Sequence, residues 1–122
     1  MPALTRYATN LRNPQSIAFD SSGNLYVANF DANDVVKIPS ASGGTVGGAA
    51  TVIASGQGAN WVAVDSSNNV FTIFACKSVI YKNNNVWFTD NKLREATDIA
   101  CDSAGNVYVS TLRNEILRIS AS

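Results

Sequence analysis

The chain has 122 residues, with nine Lys+Arg, nine Asp+Glu, no His and two Cys, and its formal net charge at pH 7 is zero. That length holds one small domain, and zero net charge leaves no positive field to gather nucleic acid or an anionic membrane surface. Without His the commonest metal ligand and general base are missing, two Cys are too few for a disulfide framework, and no apolar run reaches the roughly 18 residues of a membrane span.

In chain order, Met1-Pro2-Ala3-Leu4-Thr5-Arg6 lacks the basic and apolar regions of a signal peptide, which predicts a cytoplasmic protein or a part of a virus particle. Leu4, Thr5, Arg6, Tyr7, Ala8 and Thr9 mix Thr and Tyr with Arg, as suits an outermost strand with one edge in water. Ile17-Ala18-Phe19-Asp20-Ser21-Ser22-Gly23-Asn24-Leu25-Tyr26-Val27 then reads as a hairpin. Its Asp can bond amides two residues on, and its Gly supplies a turn position of positive φ. Asp34-Val35-Val36-Lys37-Ile38 and Ala50-Thr51-Val52-Ile53-Ala54 predict two more strands, separated by the Ser- and Gly-rich loop Pro39–Gly48.

The hairpin returns as Val62-Ala63-Val64-Asp65-Ser66-Ser67-Asn68-Asn69-Val70-Phe71 and again as Ile99-Ala100-Cys101-Asp102-Ser103-Ala104-Gly105-Asn106-Val107-Tyr108-Val109. The repeat Asp residues are 45 and 37 residues apart, a mean of about 41 and in the range of propellers and solenoids. Strands at Ser78–Lys82 and Val86–Thr89, joined by the tight turn Asn83-Asn84-Asn85, complete the second repeat; Glu115–Ile119 follows the third. No helical spacing of apolar residues competes over eleven residues or more. The expected fold is therefore all-β: a β-propeller segment of three four-stranded blades, with the solenoid as the weaker alternative.

These residues carry a resemblance. IAFDSSGNLYVAN, VAVDSSNNVFTI and IACDSAGNVYVS are similar to NHL repeats, which share a small-hydrophobic pair, an Asp, a Gly-Asn turn and an apolar-Tyr-Val strand. The likeness runs over residues 13 to 120, with Asn68 standing where the other copies have Gly. It implies a propeller and says little about activity. A WD-repeat reading is weaker, since no Trp-Asp or Gly-His pair occurs, and kelch lacks its glycine pair. The blades are expected at 13–55, 56–91 and 92–120, the last without an outer strand.

Propellers close with about four to eight blades, so three blades would leave two apolar flanks in water. The expectation is closure by a second copy into a six-bladed homodimer, with a nine-bladed homotrimer as the alternative. Residues 1–12 would supply the outer strand of a partner's third blade, a disordered leader being the competing reading.

Chemistry is sparse. Cys101 stands at the place of Phe19 and Val64 and reads as a small buried residue, while Cys76 is expected half-buried at a blade end. Asp20, Asp65 and Asp102 read as turn residues, and Asp31-Ala32-Asn33-Asp34 lacks the spacing of a calcium loop. Glu95 and Asp98 are expected at the mouth of the central channel, with ion pairing to Arg94 or Arg113 as the plainer role. None of the 14 Asn lies in a glycosylation sequon. Trp61 offers an aromatic platform or, more simply, inter-blade packing.

Propeller ligands meet the loops that enter the innermost strands and the loops that join the second and third strands. Here these hold Gln15 and Ser16, Asn60 and Trp61, Thr97 and Asp98, then Asn29–Asp31, Phe74–Lys77 and Leu112–Asn114. Gln15, Asn29, Asn60, Trp61, Asp98 and Arg113 are the ligand-face candidates. The expected function is a non-catalytic, self-assembling scaffold or binding module for a protein, peptide or glycan, with no cofactor, metal, nucleic acid or membrane. The alternatives are a propeller lactonase or lyase using Glu95 and Asp98, and a structural component of a virus particle.

Overall fold

A computed structural model describes residues 1–40, 47–56 and 59–121. Most of the expected loop Pro39–Gly48, residues 41–46, lies outside the described residues. Eleven strands form among the described residues: β1 Pro14–Phe19, β2 Leu25–Asn29, β3 Asp34–Ile38, β4 Thr51–Ser55, β5 Ala59–Val64, β6 Val70–Phe74, β7 Val79–Lys82, β8 Asn85–Thr89, β9 Ala96–Cys101, β10 Val107–Thr111 and β11 Ile116–Ile119. They pair antiparallel in three meander sheets, β1-β2-β3-β4, β5-β6-β7-β8 and β9-β10-β11. The third sheet has three strands among the described residues.

The reason the sheets stack lies in β2 and β6, LYVAN and VFTIF, in which every residue is buried. A strand apolar on both faces needs cover on both, and a neighbouring blade supplies it. Between blades one and two, Tyr26, Ala28 and Val35 meet Ala59, Val62, Val70 and Phe74. Between blades two and three, Ala63, Phe71, Ile73 and Ile80 meet Leu93, Ile99, Val107 and Val109. The inner strands lie side by side and are stitched at the side chain: Ser16 Oγ accepts the Val62 N–H at 3.1 Å, and Trp61 Nε1 donates to the Ala96 carbonyl at 3.1 Å.

Each hairpin turn is built on its Asp. The Oδ1 of Asp20, Asp65 and Asp102 accepts the amides two and four residues on, at 2.8–3.0 Å. Each Oδ2 accepts the Asn side-chain amide that closes the turn. Gly23 and Gly105 take φ of +82° and +86°, and Asn68 holds the same left-handed place at 64°. The departure of the second repeat from Gly has a use: Asn68 Oδ1 accepts the Ser21 N–H, and its Nδ2 donates to Ser21 Oγ, tying turn two to turn one.

The two end flanks differ from the two inner interfaces. Ile17 and Phe19 are 63% and 57% exposed, whereas Val62 and Ile99, at the place of Ile17 in blades two and three, are 2% and 6% exposed. On the opposite flank Ile116 is 70% exposed, and its equivalents Val35 and Ile80 are fully buried. Residues 1–13 take no strand; Tyr7, Ala8 and Leu11 instead pack on Leu25, Val27, Val36 and Ile38 of blade one.

Candidate functional site

The two ends of the blades carry different chemistry. One end holds the Asp turns. At the other end each inner strand opens with a one-residue bulge: register slips between Pro14 and Ser16, between Ala59 and Trp61, and opposite Ser110/Thr111 between Ala96 and Asp98. The extra residues are Gln15, Asn60 and Thr97, three polar side chains at one equivalent position. A bulge residue leaves the ladder and re-aims its side chain, which is why bulges recur beside binding sites.

The 3-10 turns Phe30–Ala32, Ala75–Lys77 and Asn91–Glu95 lie at this same end, because each joins β2 to β3, joins β6 to β7 or leads into β9. Asn33 takes φ 57° after the first of them, so the Asp31–Asp34 stretch is a turn. At the third blade Arg113 Nε donates to Glu95 Oε2 at 2.7 Å, and Lys92 lies 3.9 Å from Glu115. The hydrogen bond from Arg113 holds the Glu95 carboxyl below its ordinary range, and the same bond holds the Arg113 guanidinium above its own. These residues, with Asn91 and Thr111, line a solvent-open cleft of about 340 Å³. Arg94 turns elsewhere, with Nε donating to Ser78 Oγ at 3.0 Å.

The candidate residues distribute as follows. Gln15 is exposed and Asn60 half-buried, both at bulges. Trp61 is half-buried against the cluster between blades two and three, with its indole N–H committed to Ala96. Asn29 is 5% exposed and accepts the Arg12 N–H at 2.6 Å, so it fixes the entry to β1. Asp98 is exposed and lies inside β9 rather than ahead of it, because the bulge at Thr97 starts that strand two residues earlier. Its Oδ1 accepts the Ile99 N–H at 2.8 Å, and Thr97 Oγ1 lies 2.7 Å from Ser110 Oγ. Arg113 belongs to the cleft with Glu95.

The cysteines take ordinary places. Cys101 packs at the edge of the core, and burial, with the charges of Asp65 and Asp102, pushes its thiol up to about 11. Such a thiol is protonated at neutral pH and a poor nucleophile. Cys76 is exposed rather than half-buried, since the turn Ala75–Lys77 stands outside the ladder. No group of three or more His, Cys, Asp or Glu among the described residues is placed to hold a metal ion. No helix among them is long and apolar enough to cross a membrane.

Comparison with protein-family models finds no match, and comparison with curated proteins finds none either. Solved structures do match. An auxiliary nutrient binding protein from Bacteroides ovatus aligns with a TM-score of 0.75 at 17% identity, over 95% of this chain and 30% of its own. Kuenenia stuttgartiensis hydrazine synthase gives 0.67 at 15%, over 96% and 35%. Virginiamycin B lyase from Staphylococcus aureus gives 0.60 at 14%, over 93% and 43%. All three are propeller-type proteins. The chain has the propeller fold. It spans 30% to 43% of the length of these three proteins, and at these identities the likeness is one of fold alone.

Proposed function

We propose that this chain is a self-assembling β-propeller scaffold and binding module of the NHL-repeat kind. A second copy closes it into a six-bladed ring, and it acts through protein, peptide or glycan contacts on the bulge-bearing face, without catalysis. One observation carries the reading: positions shielded between blades inside the chain are bare at its two flanks. Ile17 and Phe19 on one side, and Ile116 on the other, are the two halves of an interface the chain already makes twice with Val62, Ile99, Val35 and Ile80. Burying side chains of this size stabilises by about 1.5–3 kcal/mol each.

The stitching pattern supports the same head-to-tail contact. Ser16 and Trp61 each reach the next inner strand, and Asp98 holds the equivalent place in blade three. Its carboxylate suits the backbone N–H of Ile17 in a second copy, as Ser16 Oγ serves Val62. A heterologous contact that closes after two copies gives a ring with cyclic symmetry. Such a ring carries Gln15, Asn60 and Thr97 twice, a row of polar bulge residues fitted to a repeated or symmetric ligand. The repeat carboxylates are spent in turns, which favours binding over catalysis.

Ile116→Asp and Phe19→Asp test this, since both side chains are exposed in the single chain. Each variant is expected to lose the species of twice 12.9 kDa and, with it, retention on peptide and glycan arrays. Full-size rings in both variants would contradict the proposal.

A further inference from the structure

We propose that residues 4–9 form the outermost strand of a second copy's third blade, exchanged across the closing interface and paired along the open edge of β11. The inference rests on the ring reading above and adds which backbone edge is joined to which segment. Its first support is order. β4 is the outer strand of blade one and directly precedes β5, the inner strand of blade two; β8 stands in the same relation to β9. Residues 4–9 precede β1 in the same way, at a similar distance along the chain.

The second support is packing. β4 and β8 each carry a one-residue bulge, at Ile53 and Trp87. Ile53 packs in the cluster between blades one and two, and Trp87 in that between blades two and three. They lie six and nine residues ahead of the next inner strand. Tyr7 lies seven ahead of β1 and packs on the remaining flank, that of blade one. It stands where the outer strand of a preceding blade would stand.

The third support is the path into β1. Phe30 N–H donates to the Asn13 carbonyl at 3.3 Å, and Leu112 N–H donates to the Glu95 carbonyl at 2.9 Å. Asn13 precedes β1 as Glu95 precedes β9, and the two donors follow β2 and β10. The segment therefore leaves blade one by the connection that joins blade two to blade three, and a loose leader has no reason to make it. The acceptor is equally defined. β11 is the edge of its sheet among the described residues, while its equivalents β3 and β7 are covered by β4 and β8. An open edge offers a row of unpaired backbone groups that a strand from another chain satisfies.

Amide hydrogen exchange on the full chain tests the exchange. One of two successive strand residues must aim its N–H at the neighbouring strand, so Thr5→Pro/Arg6→Pro removes that donor whatever the register. Both residues are exposed in the single chain, so packing on blade one is spared. In the wild type the outward amides of Ile116–Ile119 are expected to exchange at least tenfold more slowly than in the double variant. The dissociation constant of the variant's ring is expected to rise by about tenfold or more. Edge amides equally fast in both, with the ring still present by mass, would overturn the strand exchange and leave the ring standing. A chain that never exceeds one copy in mass would overturn both.

Discussion

Asp20, Asp65 and Asp102 sit at the heads of turns whose geometry repeats to within 0.2 Å in each hydrogen bond, yet they do not have the same partners. Tyr26 and Tyr108 donate their hydroxyls to Asp20 and Asp102 at 3.0 Å. Phe71 occupies that place in the second copy and is fully buried, its ring edge-on to Trp87 at 5.1 Å. Tyr26→Phe therefore copies a replacement the chain already contains. It is expected to cost about 1 kcal/mol, the loss of one hydrogen bond near the surface, read as a lower midpoint in urea with unchanged slope. Asp102 shows the same chemistry in its acidity: the Asn106 side chain, its backbone amide and Tyr108 outweigh some desolvation and bring the carboxyl down to about 2. At Asp20 desolvation is the largest single influence and opposes the shift, but the bonds from Asn24, Tyr26 and Ser22 together still lower it. Between pH 3.8 and about 2 the unfolded chain holds a proton at Asp102 that the folded chain does not. Stability is then complete above that window and falls as the pH falls through it. Urea titrations from pH 5 to 2 are expected to show this loss, and Asp102→Asn to flatten part of the slope while lowering the plateau.

At the scale of the strand, what could be read in advance divides along a physical line. Hairpin turns depend on residues within five of one another, and the Asp, Gly and Asn side chains that make them act on their own backbone. The three turns, and the strands that begin and end at them, were thus legible at Asp20, Asp65 and Asp102. Asp34–Ile38 also forms a strand with the bounds expected of it, and the other outer strands shift by a single residue at their ends. The bulges were not legible, because a bulge is decided by the register between two strands and leaves no single residue type behind. Gln15, Asn60 and Thr97 share only their polarity and their distance, five residues ahead of each repeat Asp. That spacing was the available signal. Asn29 looked like a ligand-face residue for a related reason: its place in the connection was right, but Arg12, which claims its side chain, is 17 residues away. Trp61, which the sequence offered both as an aromatic platform on the ligand face and as inter-blade packing, lies half-buried against the cluster between blades two and three with its indole N–H on Ala96.

For the whole molecule, the balance is set by two flanks. Within the chain each blade-to-blade face buries side chains such as Val62, Ile73, Ile80 and Val109 almost completely. Equivalent side chains on the outer flanks stay wet, and a domain of this size has little core to spare. If a second copy covers those flanks, as proposed, folding and association are linked, and apparent stability is expected to rise with concentration. The exposed charge at Arg118 lies opposite Tyr108, as Lys37 lies over Tyr26 at 5.9 Å and Lys82 over Phe71 at 5.8 Å, so blade three carries the same outer decoration as the blades already packed. The measurement that bears most directly on this account is solution mass by light scattering through a dilution series. The account predicts a species of twice 12.9 kDa that gives way on dilution, with loss of β-structure; a compact, folded species of one chain's mass at every concentration would contradict it.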